Sequence, residues 1–255
     1  MSNEDYVLLE WSYTPEMFFE EPVVVSRKGV EIRIEGGTAT AKLEPESYDA
    51  EHRTREELHE VVRGYFKAEQ VMTHQAFTLE KPSVTKMHAD GRRDRTVFVE
   101  GVTARISMDC KVDVVITRAD GTVVDTRKER LDRNREFREL CEKWRNDWLL
   151  RRMLASYGAA VNDPEDEFVH LYEIRDALQV CFGKNMKRWP LNIDDDKYSR
   201  FEKLLNHREI RQSRHRGLRL RDLRDATATE LEEARALARE FVEAYVRWLD
   251  GGMGV

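Results

Sequence analysis

A short stretch near the C-terminus combines many cations with two histidines. Residues 203–224 have the sequence KLLNHREIRQSRHRGLRLRDLR, which contains eight Lys and Arg residues and two acidic residues, a net charge of +6. The whole chain of 255 residues has a formal net charge of −6. Mutual repulsion in such a segment is relieved by an anionic partner, and the planar donor fork of arginine matches phosphate. The segment therefore predicts a contact with RNA or with another phosphate-bearing ligand.

The same stretch resembles a known family. The run Ile210-Arg211-Gln212-Ser213-Arg214-His215-Arg216-Gly217, followed by a connector and a long amphipathic helix, resembles the C-terminal half of HEPN domains. These are small helical bundles of prokaryotic toxins, defence proteins and RNA-processing enzymes. Their motif is an Arg separated from a His by four to six residues, near the start of a late helix. Arg208 and His215 have that spacing, whereas Arg211 lies too close to His215. The resemblance covers about residues 160–250.

This resemblance implies a metal-independent endoribonuclease, with a role in phage defence. The 2′-hydroxyl of RNA attacks its own phosphate, and His215 is the expected acid/base because imidazole titrates near neutral pH. Arg208 or Arg211 is expected to stabilise charge on the reacting phosphate. The family builds one site from two chains, so a homodimer is also implied. The phosphate-binding set is Arg211, Arg214, Arg216 and Arg219, and the supporting set is Glu173, Asp176 and His207.

Two other functions fit the same residues. The helical region could bind RNA or phosphate without cleaving it. Alternatively, the chain is a non-catalytic protein-interaction module whose arginines pair with carboxylates. Residues 1–125 contain 16 basic and 24 acidic residues, a net charge of −8, so this first half is the nearest source of such carboxylates.

Other kinds of site are not predicted. The chain lacks a Gly-x-x-x-x-Gly-Lys-Ser/Thr loop and a Gly-x-Gly-x-x-Gly loop, so no nucleotide cofactor is expected. Asp194-Asp195-Asp196 is interpreted as a helix cap rather than a metal site. The three cysteines contain no Cys-x-x-Cys pair, which is typical of a reducing cytoplasm. No apolar run is long enough to cross a membrane, and the acidic N-terminus does not resemble a signal peptide.

The first half of the chain predicts antiparallel strands around one helix. Val30, Ile32 and Ile34 alternate with charged residues, and Gly36-Gly37 supplies a hairpin turn. A second hairpin is expected at Asp120-Gly121, within a strand meander over about residues 95–127. Apolar residues at helical spacing predict a helix over 50–75. Trp11, Phe18 and Phe19 are expected in the core.

The second half predicts helices. A connector helix is expected over 128–158, and Asn162-Asp163-Pro164 is expected to begin the next helix. Thr227 and Glu230 have the spacing of a capping box, and Gly251-Gly252 ends the helix that follows. The fold class is therefore α+β. We expect an antiparallel-sheet domain over 1–127, a connector helix over 128–158, and a HEPN-like helical bundle over 160–250.

Overall fold

The chain forms two compact units. A computed structural model describes residues 4–27, 29–48, 53–97, 113–117, 123–218 and 222–252. The sheet unit comprises Met1–Phe66 and Phe77–Val112, and the helical unit comprises Lys67–Ala76 and Asp113–Val255. The helical unit thus takes in ten residues from the first half of the sequence, in addition to everything that follows residue 112.

The sheet unit is built on antiparallel strands, as the sequence predicts. The strands are β1 (Tyr6–Thr14), β2 (Val23–Arg27), β3 (Val30–Glu35), β4 (Thr38–Leu43), β5 (Thr78–Leu79), β6 (Ser83–Met87) and β7 (Arg93–Thr96). They follow the order β2-β3-β4-β1-β6-β7, and β5 pairs with the end of β1. Gly36 and Gly37 both have positive φ in the turn between β3 and β4, where Glu35 pairs with Thr38. This confirms the first predicted hairpin.

Helix α1 (Arg53–Thr73) confirms the helix predicted over 50–75. Its first part belongs to the sheet unit, where Val61, Val62 and Phe66 are fully buried in one cluster with the inward side chains of the strands. Trp11, Phe18 and Phe19 lie in that core, as expected. The Trp11 indole donates a hydrogen bond of 3.1 Å to Nδ1 of His59, so the buried donor is satisfied.

The second predicted hairpin is described in part. Strands β8 (Val115–Thr117) and β9 (Val123–Asp125) pair antiparallel, with Val115 opposite Asp125. This pairing agrees with strands on either side of Asp120-Gly121. The turn itself, and the strands predicted between residues 98 and 112, lie outside the described residues.

In the part of the chain that the structure describes, five α-helices follow, and they share one apolar core that includes the last residues of α1. Residues 128–158, expected as a single connector helix, contain parts of two helices. The chain turns between them because the side chain of Asp147 caps the second helix, accepting a hydrogen bond of 2.8 Å from the Leu150 amide. The helices are α2 (Thr126–Lys143), α3 (Trp148–Asn162), α4 (Glu167–Phe182), α5 (Asp195–Leu205) and α6 (Ala228–Asp250).

The predicted helix starts have mixed outcomes. Asp194 caps α5 by accepting from two backbone amides, and Thr227 and Glu230 form the predicted capping box of α6. The start predicted at Asn162-Asp163-Pro164 is wrong, since Asn162 is the last residue of α3 and α4 begins only at Glu167. Within the described residues, none of the helices has the length and apolar character of a membrane span.

Candidate anion-binding surface

The basic segment 203–224 is mostly loop rather than helix. Helix α5 ends at Leu205 and α6 begins at Ala228, so Arg208 and His215 both lie in the connection between them. The sequence resemblance places this pair near the start of a helix, and the structure differs in this respect. A short 3-10 turn at Arg216–Leu218 is the one helical element within the described part of the connection.

Two fully buried side chains anchor this loop. Ile210 and Ser213 have no exposed surface, and Ile210 belongs to the core of the helical unit. The backbone is held on both sides: the Arg211 amide donates to the Arg224 carbonyl at 2.9 Å, and the Arg224 amide donates to the Glu209 carbonyl at 2.9 Å. Because its backbone is paired, the loop can hold the side chains between its anchors in fixed directions.

Two arginines of the segment stabilise the loop itself. Arg216 pairs with Asp166 and donates to the backbone carbonyls of Glu165 and Arg211. Arg224 donates two hydrogen bonds of 2.7 Å to the carboxylate of Glu230. The bond from Arg224 is the largest cause that lowers the pKa of Glu230 to about 2, and the capping box lowers it further. These two arginines therefore have structural partners within the helical unit.

The loop's integrity should depend on the Arg224–Glu230 pair. Arg224→Met removes the paired donors at a half-exposed site, so we expect the free energy of unfolding to fall by no more than about 1 kcal/mol. Amide hydrogen exchange at Arg211 and at position 224 should nevertheless speed up, because the loop loses its link to α6. Mass-spectrometric exchange on wild type and variant measures this. Unchanged exchange in the loop would mean that the buried anchors suffice.

Four cations of the segment point to solvent. Lys203, Arg208, Arg211 and Arg214 are all exposed. Among the described residues, Lys203 and Arg208 have no carboxylate within ion-pair distance. Arg211 lies 3.3 Å from Asp225, with both side chains more than half exposed, and such pairs contribute little to stability.

Of these four, Arg214 contacts both an aromatic ring and a carboxylate. Its guanidinium lies 4.5 Å from the ring centroid of Tyr172 and 3.9 Å from a carboxylate oxygen of Asp176, both on α4. Asp176, one of the two carboxylates that the resemblance suggested as supporting residues, thus lies beside Arg214. The other, Glu173, accepts a hydrogen bond of 2.8 Å from the Ser156 hydroxyl on α3.

The histidines of the segment occupy different environments. His215 is half-buried, and its backbone amide donates to the Ser213 hydroxyl. His207 is exposed, and its Nδ1 accepts from the Glu209 amide at 3.3 Å. Arg219 lies outside the described residues. Among the described residues, the carboxylates that contact Arg211, Arg214, Arg216 and Arg224 all lie in the second half of the chain, whereas the interaction-module hypothesis expected them in the acidic first half.

The sequence did not indicate two further sets of paired polar residues, which are buried or partly buried in the helical unit. Glu69 near the end of α1 pairs with Arg138 of α2 and accepts a hydrogen bond of 3.1 Å from Asn134. His74, just beyond α1, lies 3.4 Å from the Tyr157 hydroxyl and 3.6 Å from Glu167, and Glu167 is bound by both donors of the Arg235 fork. In the sequence, charged residues at helix positions indicate a face exposed to solvent. Their buried partners are therefore identified only by the structure.

The described residues contain no cluster of three or more His, Cys, Asp or Glu side chains that could hold a metal ion. Comparison of the chain with family models, with curated proteins and with solved structures found no match.

Proposed function

We propose that the helical unit binds RNA through a basic surface formed by Lys203, Arg208, Arg211 and Arg214. The observation that carries this proposal is that the cations of the loop fall into two groups, those with structural partners and those that face solvent. Arg216 and Arg224 have structural partners, whereas these four cations face solvent and two of them have no carboxylate partner in the described structure. Several solvent-facing cations on one loop can each contact a phosphate, and phosphate contacts make up much of a protein–nucleic acid interface.

The stacking of Arg214 supports phosphate as the ligand. Its guanidinium lies over the buried Tyr172 ring, which limits the orientations that the donor fork can adopt. Preorganised donors lose less conformational entropy on binding than free side chains do. The exposed contacts to Asp176 and Asp225 leave donors available, because they are long or solvated pairs rather than buried ones.

RNA affinity is expected to depend steeply on salt. If four cations neutralise phosphates of a single strand, the slope of log affinity against log salt should be about −3. The double variant Arg208→Gln and Arg211→Gln should weaken binding and reduce the slope by about 1.4, because two counterions fewer are released. Fluorescence anisotropy with a labelled single-stranded RNA over a salt series measures both quantities.

A matched control comes from the sheet unit. Arg33 is also exposed and also pairs with a neighbouring carboxylate, Glu35, at 2.7 Å. Arg33→Gln removes one positive charge of the same type from the sheet unit, so it should leave RNA affinity and salt slope unchanged. If wild type shows no RNA binding at low salt, or if the control variant weakens binding as much as the loop variant, the proposal is wrong. Binding of an acidic polypeptide in place of RNA would favour the interaction module.

Cleavage is the catalytic form of the same proposal, and His215 tests it. An acid/base acts mainly in the transition state, so His215→Ala should abolish cleavage and leave binding intact. Because the resemblance implies a site built from two chains, cleavage also requires a homodimer, which analytical ultracentrifugation detects. Wild type that binds RNA as a monomer without cleaving it would leave a binding module.

A further inference from the structure

A groove on the helical unit offers a second place for a ligand. One face of α6 lines it, together with Arg133 of α2 and the segment 190–192 that precedes α5. Its volume is about 600 Å³, which lies within the roughly 300–1,000 Å³ typical of small-molecule sites. Apolar side chains form part of the wall, namely Pro190, Leu191, Ala236, Ala244 and Trp248.

The charged side chains of the groove are unevenly matched. It contains three arginines, Arg133, Arg239 and Arg247, and two glutamates. Both glutamates already accept hydrogen bonds from cationic side chains. Glu243 is buried and receives two hydrogen bonds from Arg133, at 2.6 and 3.2 Å, and Glu240 receives two from Lys197, both at 2.8 Å.

Arg239 is the arginine that is left without a counter-charge. In the described part of the chain, no carboxylate lies within ion-pair distance of it. Its guanidinium interacts with the hydroxyl of Tyr157, which is fully buried behind it, and its Nε is buried without an acceptor. A partly buried cation without a counter-charge lowers the stability of a protein, so its presence calls for an explanation.

Arg235, one turn earlier on α6, is a comparison for Arg239, because it is an arginine with a structural partner. It donates two hydrogen bonds, of 2.6 and 2.9 Å, to the buried carboxylate of Glu167. Arg239 has the same side chain on the same helix but lines the groove instead. The indole nitrogen of Trp248, another lining residue, is also buried without an acceptor.

We propose that this groove binds a small organic anion, in which a phosphate or carboxylate pairs with Arg239 and an apolar body lies against Leu191 and Trp248. The site is separate in sequence from the basic surface of Lys203, Arg208, Arg211 and Arg214, and it does not depend on RNA binding. The bound anion supplies the counter-charge that the protein does not, and the apolar wall favours an organic anion over inorganic phosphate.

Phenyl phosphate and benzoate are suitable probes, because each joins one candidate head group to an aromatic ring, and benzyl alcohol lacks the charge. For ligands of this size, dissociation constants near 1 mM are reasonable. At tenfold that concentration, at least one of the two anions should raise the melting temperature by about 4 °C, and benzyl alcohol should not. Which anion binds identifies the head group. Absence of a shift with both anions overturns the proposal.

Two variants make the test specific. Arg239→Met should abolish the anion-induced shift while the ligand-free melting temperature stays the same or rises, because an unpaired cation has been removed. Ala236→Phe, at an exposed lining position, should block the groove and abolish the shift with every arginine in place. Arg235→Met, the matched control on α6, should lower the ligand-free melting temperature because Glu167 loses its partner. If Arg239→Met keeps the shift, or destabilises the protein as Arg235→Met does, Arg239 is a structural residue and the proposal fails.

Discussion

Arg138→Met is expected to lower the free energy of unfolding of the helical unit by about 3–5 kcal/mol. Arg138 is 4% exposed and its partner Glu69 is 2% exposed, so the substitution leaves the Glu69 carboxylate in the core, where Asn134 is its remaining donor among the described residues. Removing one member of a buried ion pair is costly because the other has lost both water and counter-charge. Denaturant unfolding followed by tryptophan fluorescence measures the change, since four of the five tryptophans lie in this unit.

A second pair on the same helix provides the control. Lys128 and Asp132 are 2.7 Å apart at i and i+4 on α2, and both side chains are exposed. Lys128→Met should leave the unfolding midpoint unchanged, because a solvated pair is screened by water and salt. The double variant Arg138→Met and Glu69→Leu should recover much of the lost stability, since it removes both buried charges. A loss of less than about 1 kcal/mol in Arg138→Met would show that water reaches Glu69.

The stability of the helical unit is expected to fall as the pH drops below about 6.5, and His74 is a main cause. Burial is the largest factor that lowers the pKa of His74 to about 3, and the nearby cations Arg235 and Arg239 lower it further. In the unfolded chain a histidine titrates near 6.5. At a pH between these two pKa values, His74 is protonated in the unfolded chain and neutral in the folded protein. Lowering the pH therefore favours unfolding.

Linkage gives the size of this effect. Well inside that window each pH unit corresponds to about 1.4 kcal/mol for one proton, so His74 alone should remove about 2 kcal/mol between pH 7 and pH 5. His74→Asn removes the ionisable ring, and Asn tolerates the positive φ of 53° at this position. We expect stability to depend less steeply on pH in this variant.

Denaturant midpoints from pH 7 to pH 5 provide the measurement. His207→Asn is the matched control, because it removes an exposed histidine of the same unit and should leave the pH dependence as it is in wild type. If the slope of His74→Asn equals that of wild type, the ring of His74 is protonated in the folded protein as easily as in the unfolded one.

The sequence predicts the elements whose signals are local. Gly36-Gly37 predicts a hairpin because both turn residues have a positive φ, which glycine adopts without strain. The Thr227–Glu230 capping box predicts the start of α6 because both partners lie within one turn. The alternation of Ile32 and Ile34 with charged residues predicts the buried face of β3. Each of these signals involves residues a few positions apart.

The polar interior could not be predicted in this way. Glu69 and Arg138 are 69 positions apart, and each resembles a solvated helix residue until the fold brings them together. The position of Arg208 and His215 in a loop, rather than near the start of a helix, could not be predicted for a related reason. Its arginines suggest a helix by composition, but the burial of Ile210 and Ser213 and the pairing of Arg224 with Glu230 hold the chain in an irregular path. Tertiary contacts outweigh local propensity there.

Helix α1 has a consequence for how the chain can be divided. Its residues up to Phe66 belong to one unit and those from Lys67 to the other, so the boundary between units runs through a continuous helix. A fragment that begins at residue 113 would lack Glu69 and His74, and Arg138 would have lost its carboxylate. The helical unit is therefore a discontinuous domain, which an N-terminal truncation cannot isolate. Reconstitution from two pieces would require a peptide that supplies the end of α1 in trans.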